Sequence, residues 1–395
     1  MFPLFVKSRV PGRTGPQSIF PRFVGILALG TLSALAYGAD ADGTDSARNW
    51  RFHGRIQLDS ARYDSDNPLY LDDAELRRAR IGLLGDLWRG WRMKVEYEFS
   101  GSTPGPKSIY LRHDLGENGT VTFGHFKESV SLQASTSSRY NTFMERALPH
   151  ADSPGYRLGA KFATYGDSWS ATAGITGGRL TDQHDIETDG TGLYFRGVFN
   201  PIARRKQMWH IGFGAEARRY GSTDTVRLRS RPESDLTDVR MVDTGTIVDP
   251  DTGLRYTAEL AWKLRSVHAQ AEYLHLSLSR NGGLPDLDFS GWYAQVGWFI
   301  TGESRTYNRK SGTFGRIKPE HSYGAWEVAM RISDIDLNSS DIAGGTEKNS
   351  TVGINWYATK STRLSLNYVD ASARPDQYGL NDDVRALQAR FQYIF

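Results

Sequence analysis

The sequence predicts an all-β protein, a transmembrane antiparallel β-barrel of about 16 strands with a long loop folded into its lumen. Three observations favour this fold class. Apolar and polar residues alternate over most of the chain, and the last alternating segment ends on Phe395. The mean hydropathy of −0.50 is too low for a bundle of apolar spanning helices. The absence of Cys excludes disulfide frameworks, thiolate nucleophiles and Cys-ligated zinc.

The N-terminal segment has the pattern of a secretory signal peptide over residues 1–39. Its four basic residues come without an acid and precede an apolar run at 23–36, which ends in small residues. A transmembrane anchor is the alternative, but the run is shorter than the roughly 20 apolar residues that a spanning helix needs. Without these four, the 48 Lys and Arg residues of the chain become 44, against 45 Asp and Glu, so the remaining chain has almost no net charge. Bulk charge therefore predicts no partner, and the position of the charges must matter.

Strand-like alternation recurs along residues 40–395, the predicted barrel domain. In residues 91–99, apolar and aromatic residues alternate with Arg, Lys and Glu, and residues 209–218, 254–263 and 326–332 repeat the pattern. Such alternation indicates strands with one apolar and one polar face. At about 22 residues for a strand and its connection, the domain holds about 16 strands, an even number that leaves an aqueous channel.

The surroundings of the apolar face distinguish a membrane barrel from a secreted all-β enzyme with a buried core. The polar faces carry many charges, and Trp and Tyr stand near strand ends, as in interfacial aromatic girdles. Residues 387–395 alternate to a final Phe, which resembles the assembly signal of Gram-negative outer-membrane barrels. We therefore expect a barrel in the outer membrane, in contact with its lipid, where closure removes unpaired strand edges.

Arginine is the main basic residue of the predicted lumen, because Arg outnumbers Lys by 37 to 11. The candidate pore-lining arginines are Arg55, Arg77, Arg78, Arg80, Arg227, Arg229 and Arg231. Alternate residues of a strand share a face about 6.6 Å apart, so the last three predict a row about 13 Å long. Arg78 and Arg80 share a face, and Arg77 points away from it unless a β-bulge turns it inward.

Guanidinium groups suit anion recognition because they stay protonated and offer a planar fork of donors that matches phosphate oxygens. A row of weak sites lets an anion pass, whereas one deep site would trap it. The alternative is that these arginines are solvated or salt-bridged lumen residues without a selective role.

Residues 127–155 interrupt the strand rhythm, and irregular stretches of this length are usually functional. We expect this segment to fold into the lumen and to set its constriction. Ser138 and Arg139 would then offer a hydroxyl and a guanidinium to an anion. The alternative is an external loop packed at a subunit interface.

The chain resembles the outer-membrane phosphate-selective porins, the porin O and P family, in motifs that follow the family's order. The matching segments include GRIQLD (54–59), LRRARIGL (76–83), STSSRYNTFMERALP (135–149), GWYAQVGWFITGE (291–303), IKPEHSYGAWEVAMR (317–331) and the final LQARFQYIF. The resemblance implies a homotrimer of 16-stranded barrels, with loops folded into the pore and an arginine ladder leading to a central anion site.

The resemblance also implies roles for individual residues. Arg55 matches the family's first-strand arginine, Arg77 and Arg78 its paired arginines, Arg227 and Arg229 its alternating pair, and Ser138 with Arg139 its Ser-Ser-basic segment. The chain departs from the family at Arg80, where an aromatic residue is common, and in its scarcity of lysine. Orthophosphate, pyrophosphate, short polyphosphate and a broader anion range therefore all stay open as substrates.

Three functions are compatible with an all-β chain of this composition to different degrees. An anion-selective porin for phosphate or polyphosphate explains the arginine rows. The alternative is a non-selective or sugar-type porin, although sugar channels favour aromatic tracks and the polar faces here carry mostly Arg, Glu and small residues. An enzyme is disfavoured because the motifs G-x-S-x-G and H-E-x-x-H are absent. We predict no cofactor, no metal site and no nucleic-acid partner.

Overall fold

The computed structural model describes residues 49–101, 104–180, 186–187, 190–375 and 381–395. The predicted signal peptide at 1–39 lies outside this part of the chain. Within it, one sheet contains sixteen strands of at least eight residues. They are β1 (Arg51–Asp64), β2 (Asp73–Asp86), β3 (Trp91–Glu98), β4 (Gly105–Leu115), β5 (Gly119–Lys127), β6 (Tyr156–Tyr165), β7 (Trp169–Thr176), β8 (Thr191–Phe199), β9 (Gln207–Arg219), β10 (Pro250–Leu264), β11 (Val267–Arg280), β12 (Leu287–Phe299), β13 (Ala325–Ser339), β14 (Ile342–Tyr357), β15 (Thr362–Arg374) and β16 (Asp382–Ile394).

The sheet closes on itself. Each of these strands pairs antiparallel with its neighbours in chain order, and β1 also pairs with β16. The closing register places Arg55 opposite Ile394 and Asp64 opposite Arg385. Closure gives every wall strand two partners, as lipid requires. The prediction of a closed antiparallel barrel of about 16 strands is confirmed.

Alternation puts apolar side chains outside the wall and polar side chains inside it. In β9, Trp209, Ile211 and Phe213 are 44–51% exposed, whereas His210 is completely buried. The same contrast recurs along β10 to β16. So much exposed apolar surface is unfavourable in water, so the outer face suits a lipid bilayer.

The connections differ between the two ends of the barrel. At the end where β1 begins, most are short, such as 116–118 and 265–266. The other end carries the long connections 128–155, which we call the lumen loop, and 220–249, the outer loop. Outer-membrane barrels have short periplasmic turns and long extracellular loops. The long connection 300–324, the periplasmic loop, is therefore an exception at the periplasmic end.

The lumen loop folds into the barrel, as the sequence predicted. It contains a short helix, α1 (Leu132–Ser135). The Thr142 carbonyl accepts a hydrogen bond of 3.0 Å from Asn355 of β14, whose side chain is completely buried in the lumen. No helix of the described residues is both long and apolar enough to cross a membrane.

The periplasmic loop also turns inward, which the sequence did not predict. Arg196 of β8 donates to the Ser311 and Gly312 carbonyls at 3.0 and 2.9 Å. The two loops meet inside the barrel, where the Phe314 amide lies 3.4 Å from the Thr136 hydroxyl. Together they fill the lumen beside β8 to β14 and leave space mainly beside β1 to β6.

The outer loop corrects one expectation from the sequence. Arg227, Arg229 and Arg231 were predicted to form one extended row, but only Arg229–Ser230 is a strand, paired with Val242–Asp243. The partner strand is the loop's own returning segment, and Arg227 and Arg231 form ion pairs with acids of the same loop. Spacing within a sequence cannot reveal such a partner.

Candidate anion pathway

A β-bulge in β2 turns two adjacent arginines into the lumen. In the register between β1 and β2, Gln57 pairs with Arg78 but Leu58 pairs with Leu76, so Arg77 is an extra residue. Arg77 and Arg78 are 8% and 9% exposed, and both line lumen cavities. A bulge therefore produces the inward orientation of Arg77 that strict alternation opposes.

An inner cavity of about 340 Å³ lies between the wall from β1 to β6 and the lumen loop. Of the described residues that line it, nine are basic and two are acidic. The basic residues are Arg55, Arg77, Arg78, Arg80, Lys94, Lys107, Lys127, Arg139 and Arg146, and the acidic residues are Glu96 and Glu98. This excess of positive charge in a confined space attracts anions.

The two acids of the inner cavity neutralise only part of its charge. Arg80 Nε lies 3.0 Å from Glu98 Oε2, and Lys94 Nζ lies 3.0 Å from Glu96 Oε2. Arg80 also donates to the Tyr156 hydroxyl at 3.1 Å. Arg80 is thus held by its neighbours, which limits its freedom to bind an anion.

Four other cations of the inner cavity form no ion pair with a carboxylate of the described chain. They donate to uncharged oxygens: Arg55 to the Ser138 hydroxyl at 2.8 Å, Lys127 to the Ala134 carbonyl at 2.7 Å, Arg139 to the Ser137 hydroxyl at 3.2 Å and Arg146 to the Gln133 carbonyl at 3.2 Å. Burying an unpaired cation costs several kcal/mol. Arg55 is 4% exposed, whereas Lys127, Arg139 and Arg146 are half-buried, so an anion in the cavity would offset most of this cost at Arg55.

An outer cavity of about 280 Å³ adjoins the inner one on the extracellular side. The two cavities share Arg77, Arg78 and Arg146. The outer cavity is also lined by Arg229, Arg231, Arg240, Glu145, Glu233 and Asp235. Positive charge therefore continues from one cavity to the next, but with more acids in the outer cavity.

Three of the arginines that line the outer cavity have carboxylate partners, namely Arg77, Arg78 and Arg231. Arg77 Nε lies 3.2 Å from Glu145 and 3.0 Å from Asp235. Arg231 binds Asp235 and Asp238 at 2.5 and 2.9 Å. An anion at these arginines would have to compete with the carboxylates, which reduces the attraction that the arginines can offer it.

Arg227 lines neither cavity. Its Nε and Nη2 donate to the Asp243 carboxylate at 2.8 and 2.5 Å. Burial favours a higher pKa for Asp243, but hydrogen bonds from Arg227 and the Gly245 amide hold that pKa below its ordinary value. The pair therefore stays charged and ties the two halves of the outer loop together.

A small void of about 10 Å³ lies on the periplasmic side of the inner cavity. Arg139 lines both spaces, and it is joined at the void by Arg316 of the periplasmic loop and Lys360 of the β14–β15 turn. Basic residues therefore line three successive spaces between the outer cavity and the periplasmic end. No group of three or more His, Asp or Glu side chains in the described chain could hold a metal ion.

The residues named from the sequence fall into three groups. Arg55, Arg77, Arg78, Arg80, Ser138 and Arg139 line the inner cavity, Arg229 and Arg231 line the outer cavity, and Arg227 lines neither. The sequence reasoning missed Lys94, Lys107, Lys127 and Arg146. The polar face of residues 91–99 could have identified Lys94, whereas Arg146 reaches the cavity only through the fold of its loop.

A closed barrel with a lipid-facing wall and a lumen of connected, cation-lined spaces defines an outer-membrane porin. Comparison with known proteins gives the family: the model for "Phosphate-selective porin O and P" matches residues 51–395. The chain belongs to this family, and its location is the outer membrane.

Similar proteins agree with this assignment. The chain is 27% identical to Porin O of Pseudomonas aeruginosa over 91% of each chain. Among solved structures, the fold resembles "Anion-selective porin from Comamonas acidovorans", with a TM-score of 0.59, 10% identity and coverage of 88% of this chain and all of that one. It also resembles the outer membrane channel DcaP of Acinetobacter baumannii, with a TM-score of 0.57, 11% identity and coverage of 90% and 100%. At these identities the two structures support the fold alone.

Proposed function

We propose that this porin is an anion-selective channel for phosphate or its condensed forms. The observation that carries the proposal is the group of four inner-cavity cations without a carboxylate partner in the described chain. They need a negative partner, and the cavity has room for a small hydrated anion. The description of the family, phosphate-selective porin O and P, names the same class of solute for its members.

In this proposal the anion moves by exchange between successive basic groups. It enters past Arg229 and Arg231, is handed inward by Arg77 and Arg78, and is held by Arg55 with the lumen loop's Ser138 and Arg139. Arg80, fixed by Glu98, adds to the field more than to direct binding. Each arginine offers donors suited to phosphate oxygens, and several weak steps favour flux over trapping.

The accompanying assignments are also proposals. Residues 1–39 would be removed as a signal peptide, residues 40–395 would form the mature barrel, and residues 127–155 would form its constriction. The family resemblance implies a homotrimer, in which each barrel conducts through its own lumen.

Planar-bilayer recording of the purified protein tests this function. In a KCl gradient, the reversal potential is expected to indicate chloride passing in preference to potassium. Added phosphate is expected to block chloride current at millimolar concentration or below, and more strongly at low salt, because the Debye length is about 10 Å at 0.1 M and 30 Å at 0.01 M. A reversal potential near zero with no phosphate block would favour a non-selective or sugar-type porin.

A further inference from the structure

Four buried arginines hold the backbone of the lumen loop between residues 140 and 145. We call Arg305, Arg331, Arg363 and Arg390 the arginine clamp. In chain order, the Tyr140 carbonyl accepts from Arg305, those of Asn141 and Thr142 from Arg363, that of Met144 from Arg390 and that of Glu145 from Arg331. Five carbonyls in six consecutive residues thus accept from guanidinium groups.

These bonds satisfy the backbone carbonyl acceptors of a segment that has no regular secondary structure of its own. Residues 140–145 belong to no helix or strand, so their carbonyls need other partners inside the barrel. Hydrogen bonds from a charged donor are about twice as strong as neutral ones. The clamp residues are each at most 4% exposed, so these bonds are screened little by water.

Contacts behind the guanidinium groups keep the clamp rigid. Arg305 donates to Gln270 at 2.9 Å and lies over the Phe314 ring, with its Cζ 3.7 Å from the ring centroid. Arg363 donates to Asn355 at 2.7 Å. Arg390 donates to both Asp59 oxygens at 2.6 and 2.5 Å, and Arg331 binds Glu233. The clamp therefore joins the lumen loop to the wall, to the outer loop and to the periplasmic loop.

The clamped stretch lies directly between Arg139 and Arg146, the two loop cations without a carboxylate partner in the described chain. We infer that the arginine clamp is a set of positioning residues, which fix Arg139 and Arg146 opposite Arg55 and Arg78 and prevent the lumen loop from closing the pore. This inference rests on the proposed function, since the opposed cations matter only if an anion passes between them.

Charge-retaining variants test position separately from charge. Arg305→Lys with Arg363→Lys keeps both positive charges, but a single ammonium cannot reproduce the forked donation of a guanidinium. We expect this double variant to raise the phosphate concentration for half-block by about fivefold, roughly the loss of one net hydrogen bond. We also expect brief partial closures of single channels to be more frequent than in the wild-type protein. The single variants are measured alongside, in case the double variant inserts poorly.

Arg280→Lys is the matched control. Arg280 is also buried in the lumen and donates to a backbone carbonyl of a connection, that of Pro285 at 2.8 Å, and within the described residues its hydrogen bonds and ion pair go to Pro285 and Asp341 rather than to the lumen loop. Arg280→Lys is expected to keep the wild-type phosphate concentration for half-block and the wild-type frequency of partial closures. Wild-type behaviour of the double variant in both readouts would overturn the inference. If the wild-type channel itself did not prefer anions, the proposed function would fail, while closures in the double variant alone would still support the mechanical role of the clamp.

Discussion

The lumen contains two groups of arginines that look alike in sequence and differ in their partners. Arg55, Arg139 and Arg146 face the inner cavity and donate to only a few uncharged oxygens. On the opposite side, Arg196 is enclosed by Glu259 and by carbonyls of the periplasmic loop. The arginines of the first group have donors left for a mobile anion, whereas Arg196 uses its donors in hydrogen bonds within the protein. An arginine on a polar face is therefore evidence of a lumen position, and its partners decide whether it can serve conduction.

Arg196 offers the largest expected effect, and it concerns folding. Arg196→Ala leaves the buried Glu259 carboxylate with His210 as its remaining side-chain hydrogen-bond partner among the described residues, and breaking a buried pair costs about 3–5 kcal/mol. We expect a large loss of stability in urea unfolding from lipid vesicles, with wild-type anion preference in the channels that do fold. Arg139→Ala, which removes a cation without a carboxylate partner in the described chain, should cost far less stability. The reverse ranking would contradict the division into two groups.

The inner-cavity arginines offer the next largest effect, on selectivity. Arg55→Gln combined with Arg78→Gln removes two charged donors, each worth about 1.5–3 kcal/mol in hydrogen bonding to a charged partner. We expect the phosphate concentration for half-block to rise by about 100-fold or more and the reversal potential to move toward zero. Arg62→Gln is the control, because Arg62 lies on the same strand with its side chain 81% exposed on the outer face. Equal effects of the double variant and of Arg62→Gln would mean that a lumen position is irrelevant to anion selectivity.

How much of this could be predicted from sequence depends on the range of the interaction. Alternation is local, and it predicted the barrel, the approximate strand number and the segment that enters the lumen. The bulge at Arg77 was left open because it arises from the register against β1, which no residue of β2 reveals. The inward turn of the periplasmic loop and the clamp were missed since they join residues more than 100 positions apart. Arg331 and Arg363 look like any other polar-face arginine until those carbonyls are located.

The smallest expected effect tests whether the lumen loop contributes a donor as well as a shape. Ser138→Ala removes the hydroxyl that accepts from Arg55 at 2.8 Å and would offer its own proton to an anion. One neutral hydrogen bond is worth about 0.5–1.5 kcal/mol, so half-block by phosphate should need about three times more phosphate, with little change in chloride conductance. The comparison is Ser135→Ala, since Ser135 lines the same cavity and its hydroxyl has no hydrogen-bond partner within the described residues. If Ser135→Ala weakened the block and Ser138→Ala did not, the anion would contact α1, and Ser138 would serve only to orient Arg55.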